Sequence, residues 1–272
     1  MSETLIILQA RMTSTRLPNK VLMPILGKPM LAHQIKRLTR VKTHHQLVIA
    51  TSTQITDDPI EALCQQYKVH CFRGSLNDVL ARYYYTACQF KKNNTLKNIV
   101  RITGDCPLID SDIVDNVINL FLTSNVDYCS NCAPATLPDG LDVEVFSFTA
   151  LKKAHQLAKK SSEREHVTLF IRNNPKLFNM NNYHHHTDLS HFRWTVDEPK
   201  DFELVSEIYH ALYPNDQHFS LNDILMLIGK RPELSLINEH ILRNEGLIKS
   251  VLDDVQLNKY TTSQQAGIGK TT

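Results

Sequence analysis

Leu5-Ile6-Ile7-Leu8-Gln9-Ala10-Arg11-Met12-Thr13-Ser14-Thr15-Arg16-Leu17-Pro18-Asn19-Lys20 is the stretch on which the fold turns. Its first four residues are apolar without alternation, the pattern of a strand in a parallel sheet covered on both faces. The chain then turns polar and carries Arg11, Arg16 and Lys20. Pro29 follows, and then Leu31, Ile35 and Leu38 at helical spacing. A strand whose carboxyl end opens into a cationic loop before a helix is where open α/β sheets bind phosphate-bearing ligands. No glycine lies between Gln9 and Asn19, so this is neither a Walker loop nor a G-x-G-x-x-G turn. Side chains as well as backbone N–H groups must then hold the phosphates. The competing reading is a solvated basic loop.

Working outward, strands and helices alternate. Gln46 to Thr51 reads as a second strand, and Asp57-Asp58-Pro59 starts a helix with proline in its first turn. Val69 to Phe72 is a short strand ending in Arg73-Gly74-Ser75, after which Ser75-x-x-Asp78 resembles a capping box. Val79, Leu80, Tyr83, Ala87 and Phe90 mark the buried face of the next helix. Ile99 to Ile102 is another strand, ending at Thr103-Gly104-Asp105, and Ile113, Val117, Ile118 and Phe121 define the helix beyond. Such alternation means βαβ units and a mostly parallel sheet.

The pattern changes after residue 125. Val126 to Cys129 suits a strand, and Ala133 to Gly140 is a proline-containing loop. Val143 to Phe146 alternates apolar and polar, which predicts a strand with one solvated face. Ser162-x-x-Glu165 reads as a second capping box, opening a helix through Val167, Phe170 and Ile171. Phe192 to Val196 reads as a late strand ended by Asp197-Glu198-Pro199, with Phe202, Val205, Tyr209 and Leu212 marking a helix after it. Ser220-x-x-Asp223 caps one more helix. Residues 261–272 are polar and aperiodic, so residues 1–260 are read as a single domain with a polar C-terminal tail.

At 272 residues, 42% hydrophobic and 21% charged, the chain can bury a substantial core. A net charge of +2 argues against a dedicated nucleic-acid binder. Neither a membrane span nor a signal peptide is visible, so the expected location is the cytoplasm. Cys129-Ser-Asn-Cys132 and His184-His185-His186 suggest zinc, but a second tight ligand pair is lacking and the six cysteines are read as ordinary reduced thiols. Glycine is scarce, eight in all, and Gly74, Gly104 and Gly140 each stand in a loop beside charged residues. Close backbone approach to a ligand or plain turn chemistry accounts for that placement.

Ile-Leu-Gln-Ala-Arg-Met-x-Ser-x-Arg-Leu-Pro-x-Lys-Val-Leu, from Ile7 to Leu22, resembles the opening of the cytidylyltransferases that activate acidic sugars, such as those making CMP-Kdo and CMP-sialic acid. It is most similar to the SpsF-like branch, named for spore coat polysaccharide biosynthesis. The similarity returns at Thr103-Gly104-Asp105-Cys106-Pro107-Leu108, at Pro138 to Phe146, at Arg164-Glu165-His166-Val167-Thr168 and at Arg193 to Pro199. The blocks keep their order across nearly the whole chain. The resemblance implies a Rossmann-like nucleotide-diphospho-sugar transferase fold, an α/β architecture with a mostly parallel mixed sheet flanked by helices. It also implies a nucleotidyltransferase that moves CMP from CTP to a small acidic sugar, with Mg2+ as cofactor and a homodimer as the assembly.

Residue roles follow from the resemblance. Arg11, Lys20, Asp105 and Asp197 take the catalytic positions, and Asp105 and Asp197, each past a predicted strand end, are the expected magnesium ligands. Arg11 and Lys20 pair with the triphosphate, with Arg16 either beside them or structural. Cytosine is expected at the backbone of Leu8 to Ala10 and at Arg73. Arg82 either supports that pocket or is a surface arginine. Asp139, Asp142 and Glu144 are expected to accept hydrogen bonds from sugar hydroxyls, and Arg164 and His166 to hold a substrate carboxylate or phosphate. Asp110-Ser-Asp112 matches the D-x-D of metal-dependent glycosyltransferases, but at a helix start it reads as a cap. Two other classes stay open: a metal-dependent glycosyltransferase, and a non-catalytic nucleotide-binding subunit of a glycan assembly complex.

Overall fold

The computed structural model describes residues 3–91, 96–243 and 245–268, with Glu3 and residues 257–268 described by backbone alone. Strand β1 (Glu3–Gln9) is followed by a small hairpin of β2 (Pro24–Ile25) and β3 (Lys28–Pro29) and by α1 (Met30–Leu38). Then come β4 (His45–Ser52), α2 (Asp58–Tyr67), β5 (His70–Gly74), α3 (Val79–Phe90), β6 (Leu96–Thr103) and α4 (Ser111–Ser124). The second half holds β7 (Tyr128–Ser130), β8 (Glu144–Ser147), α5 (Phe148–Leu157), α6 (Ser161–Glu165), α7 (Leu169–Arg172) and β9 (Met180–Asn182). It ends with α8 (Pro199–Leu212), α9 (Leu221–Lys230), α10 (Glu233–Leu236) and α11 (Glu245–Ile268).

The main sheet runs β5-β4-β1-β6-β8-β7-β9. Pairs β4–β5, β1–β4, β1–β6 and β7–β9 are parallel, and β8 is antiparallel to both its neighbours. The unbroken apolar run explains why β1 is central. Ile6 and Leu8 enter a core with residues of α1, α4 and α8, while Leu5 and Ile7 enter another with residues of α3, α5 and α7. The chain goes outward from β1 to β4 and β5 and then returns to place β6 on the other side. Its switch point therefore lies at the carboxyl ends of β1 and β6, where α/β sheets hold ligands. This is the mostly parallel α/β fold read from the sequence. No described helix is long and apolar enough to cross a membrane.

Several local readings change. Phe192 to Val196 forms no strand; it is an extended segment with one bridge, Asp139 to Arg193. Ser75 accepts from Asp78 N, but Asp78 itself is the cap of α3, accepting from Ala81 N at 2.9 Å. The helix expected from Ser162 through Ile171 is two short pieces, α6 and α7, because Val167 takes φ +48 between them. Ser162 bonds Asp254 instead of capping its own helix. Strand β8 has no solvated face, since Glu144 is as buried as its neighbours. Residues expected as a tail are helical as far as Ile268, the end of α11; residues 269–272 lie outside the described residues.

Candidate active site

Beyond Gln9, at the carboxyl ends of the two central strands, lies a cleft of about 650 Å³. Its basic loop is fixed from below. Asp57 accepts from Met12 N at 2.8 Å, from Ser52 N at 3.0 Å and from Thr51 Oγ1 at 2.9 Å. Burial alone would raise its pKa, but these donors hold it below the ordinary carboxylate range. Asn19 N closes the loop on Met12 O at 3.0 Å, with Asn19 left-handed at φ 62. Arg11 and Arg16 thereby line the cleft, and Lys20 is drawn inside.

Lys20 is the hub. Its Nζ donates to Val196 O at 2.7 Å and to Asp197 Oδ1 at 2.8 Å, and stands 3.5 Å from Asp105 Oδ2. Burial disfavours its charge, but the two carboxylates more than offset that and raise it above the ordinary lysine value. Burial likewise opposes charge on Asp105, and Lys20 with Thr103 and Cys106 overcomes it, holding Asp105 at about 2. The acids meet although 92 positions apart because Val196 N donates to Asp105 O at 2.8 Å and Thr195 Oγ1 at 3.3 Å. Arg16 adds a contact of 2.9 Å to Asp197 and one of 3.1 Å to Glu245.

Arg193 braces the same segment from behind. It binds Asp201 through Nε and Nη2 at 2.9 Å and Asp139 through Nη1 at 3.0 Å, and stays fully charged, above its ordinary value. Gly140 has φ +106, and a Cβ there would sit 2.5 Å from Thr195 N. Only glycine permits that approach. Asp139 and Asp142 both line the cleft. Burial raises both acids, Asp142 to about 7 although Arg243 Nη2 stands at 2.5 Å.

Three expected ligand residues are committed elsewhere. Glu144 pairs with Arg101 across the β6–β8 ladder and accepts from Tyr128 Oη and Thr168 Oγ1, each at 2.6 Å. Although burial opposes it, Arg101 and Arg172 with those hydroxyls hold Glu144 at about 2, so its oxygens are occupied within the protein even though it lines the cleft. Arg164 grips Asp78, the α3 cap, through Nε at 3.0 Å and Nη2 at 2.5 Å, gives Nη1 to His155 O, and does not line the cleft. Arg73 does not line it either: Ser52 O, Gln54 O, Asp58 and Glu61 surround its guanidinium and tie β5 to α2. Leu8 is buried in the core one residue behind the cleft, which Gln9 and Ala10 line. His166 does line it, with Nε2 at 3.0 Å from Ser250 Oγ, and burial lowers its pKa.

Of the two readings left for Arg82, pocket support and a surface position, the structure places it in the cleft wall, 1% exposed. It stands three residues beyond Val79, beside the face read as buried, which is the signal the sequence offers. Arg172 lines the cleft with no side-chain hydrogen bond or ion pair among the described residues, and no motif marks it.

The sequence matches the cytidylyltransferase family model over residues 5–230. The chain belongs to the cytidylyltransferase family. It is 31% identical over 246 residues to the spore coat polysaccharide biosynthesis protein SpsF of Bacillus subtilis, covering 88% of this chain and 99% of that one. The structure of a cytidylyltransferase from Leptospira borgpetersenii serovar Hardjo-bovis matches with a TM-score of 0.81 at 32% identity, covering 86% of this chain and 97% of the other. CMP:2-keto-3-deoxy-manno-octonic acid synthetase complexed with CTP shares the fold, with a TM-score of 0.57 at 17% identity, over 77% of this chain and 99% of that one. In this cytidylyltransferase the residues beyond the matched span still reach the cleft, where Arg243, Glu245 and Ser250 form a wall.

Proposed function

We propose that this cytidylyltransferase transfers CMP from CTP to an acidic sugar of the nonulosonate or Kdo-like class, for surface polysaccharide or glycan biosynthesis, and releases pyrophosphate. The supporting observation is the Lys20 ammonium set between Asp105 and Asp197 in a cleft also lined by Arg11 and Arg16. Lys20 and the two arginines would neutralise the triphosphate and the leaving pyrophosphate. A sugar oxygen would bond to the α-phosphorus as the bond to the bridging β-phosphate oxygen breaks, its proton leaving to solvent.

Magnesium is part of the proposal. Asp105 and Asp197 are partly exposed, at 27% and 20%, and converge on one cation, with the hard oxygen donors magnesium prefers. No group of three or more His, Cys, Asp or Glu side chains among the described residues suits a metal, so substrate oxygens would complete the shell. Bound there, the ion would offset charge on the phosphates. A homodimer in the cytoplasm completes the reading, checked by sedimentation and fractionation.

The test is pyrophosphate release from CTP with a panel of acidic sugars, with and without Mg2+. Asp105→Asn and Asp197→Asn should each lower kcat by about a hundredfold or more. The double variant should be scarcely worse, because residues acting as a unit are not additive. Near-normal turnover in either single variant rejects that ligand. A glycosyltransferase or a non-catalytic subunit would release no pyrophosphate from CTP.

A further inference from the structure

Arg82 is 1% exposed on α3, yet forms no ion pair among the described residues. Its Nη1 donates to Ser75 O at 2.9 Å, while Nε and Nη2 are buried without a partner. A buried guanidinium with two idle donors is costly unless something else occupies them. Gln9 holds the complementary anomaly: its Oε1 is buried with no donor. Both residues line the cleft.

They also belong to one face of the sheet. Leu5 and Ile7 pack with Val79, Leu80 and Tyr83, and Tyr83 Oη stands 3.3 Å from Ile7 O. Side chains alternate along a strand, so Gln9 follows Ile7 onto the α3 side. Two idle donors from one planar group and one idle acceptor thus lie buried in the cleft wall on the same side of the sheet.

That set complements the edge of cytosine, whose O2 and N3 accept and whose N4 amino group donates. Uracil places a donor at N3 and an acceptor at O4, opposing the set at two of three positions. We propose that Arg82 and Gln9 read the base, Arg82 donating to O2 and N3 and Gln9 Oε1 accepting from N4. This rests on the reading that the nucleotide is CTP. The task expected of Arg73 thereby passes to Arg82, because Arg73 is saturated by Asp58, Glu61 and two backbone carbonyls.

Calorimetry with CTP, UTP and inorganic pyrophosphate tests it on the full chain, Arg82→Met and Gln9→Leu. Wild type should bind CTP at least about tenfold more tightly than UTP. Each variant should lose about tenfold or more in CTP affinity, bring the CTP-to-UTP ratio towards one and keep pyrophosphate affinity. Arg82→Met should melt no lower than wild type without nucleotide, since it removes an unpaired buried charge. Wild type binding CTP and UTP equally overturns the cytidine reading and this assignment with it. Wild type preferring CTP, with both variants keeping that preference, overturns this assignment alone. Equal losses for CTP, UTP and pyrophosphate place Arg82 at the phosphates and also overturn it. Should Arg82→Met fail to fold, Gln9→Leu decides by the same ratios.

Discussion

Glu144 keeps its charge at 5% side-chain exposure because Arg101, Tyr128 and Thr168 surround it. Glu144→Gln leaves Arg101, itself 17% exposed, without its counter-charge. Breaking such a pair costs about 3 kcal/mol. At this size that is a loss of roughly 6–12 °C in Tm, read by a thermal melt at neutral pH. With its folded value near 2 against an ordinary 4.5, Glu144 stabilises fully above 4.5 and loses that contribution as pH falls towards 2. The Gln variant should therefore show a flatter acid limb. Asp142 runs the other way. Raised to about 7 from an ordinary 3.8, it favours the fold most below 3.8 and loses that contribution as pH rises through 7. Asp142→Asn should be neutral in acid and raise Tm by a few degrees above pH 7; a pH series of melts checks both signs. Read from sequence alone, both acids carry the same expectation, because a motif shows residue type and order; the structure surrounds Glu144 with internal donors and leaves Asp142 on the cleft beside Arg243. Whether an acid faces solvent or three internal donors depends on Tyr128 and Thr168, distant in the chain.

The Arg164–Asp78 contact ties the start of α3 to α6 and, through His155 O, to α5. Arg164→Ala should therefore act on stability. A double-mutant cycle with Asp78→Asn should give a coupling of about 1 kcal/mol, discounted because Asp78 is 35% exposed. The KM for the sugar should stay within about twofold of wild type. A tenfold rise would return Arg164 to the substrate. Such long-range partners explain which elements were legible. Ser220 with Asp223 and the Asp110 cap were readable because each is settled within a few residues. Ser162 and Glu165 have the same spacing, but Asp254 and Ser250, more than 80 residues on, claim them. The alternating Phe192 to Val196 stretch reads as a strand, yet its backbone is spent binding Asp105, Asp139 and Lys20. Three-residue β9, Met180-Asn181-Asn182 at the sheet edge, is too short to carry an apolar pattern.

At the scale of the whole molecule, the sheet and the basic loop lie within residues 5–230, and the wall opposite them does not. The wall is a row of ties: Arg243 to Asp142 at 2.5 Å, Glu245 to Arg16 at 3.1 Å, Ser250 to Glu165 at 2.9 Å, and Asp254 to Ser162. Three of the four fall among residues of the Asp139–Glu144 and α6 segments, where the sequence resemblance puts the acceptor. The fourth reaches the nucleotide loop as an exposed ion pair, with side chains 32% and 44% accessible, a type worth well under about 1 kcal/mol. Ending the chain after His240 removes all four ties but keeps Asn238, whose side chain bonds Arg193 O and Asp201 within the core. The truncated protein should stay folded and bind CTP within about threefold of the full chain, while KM for the acceptor rises about tenfold or more. Calorimetry with CTP and steady-state pyrophosphate release at varied sugar concentration separate the two effects. Loss of CTP affinity with unchanged acceptor KM would place the wall on the nucleotide side instead.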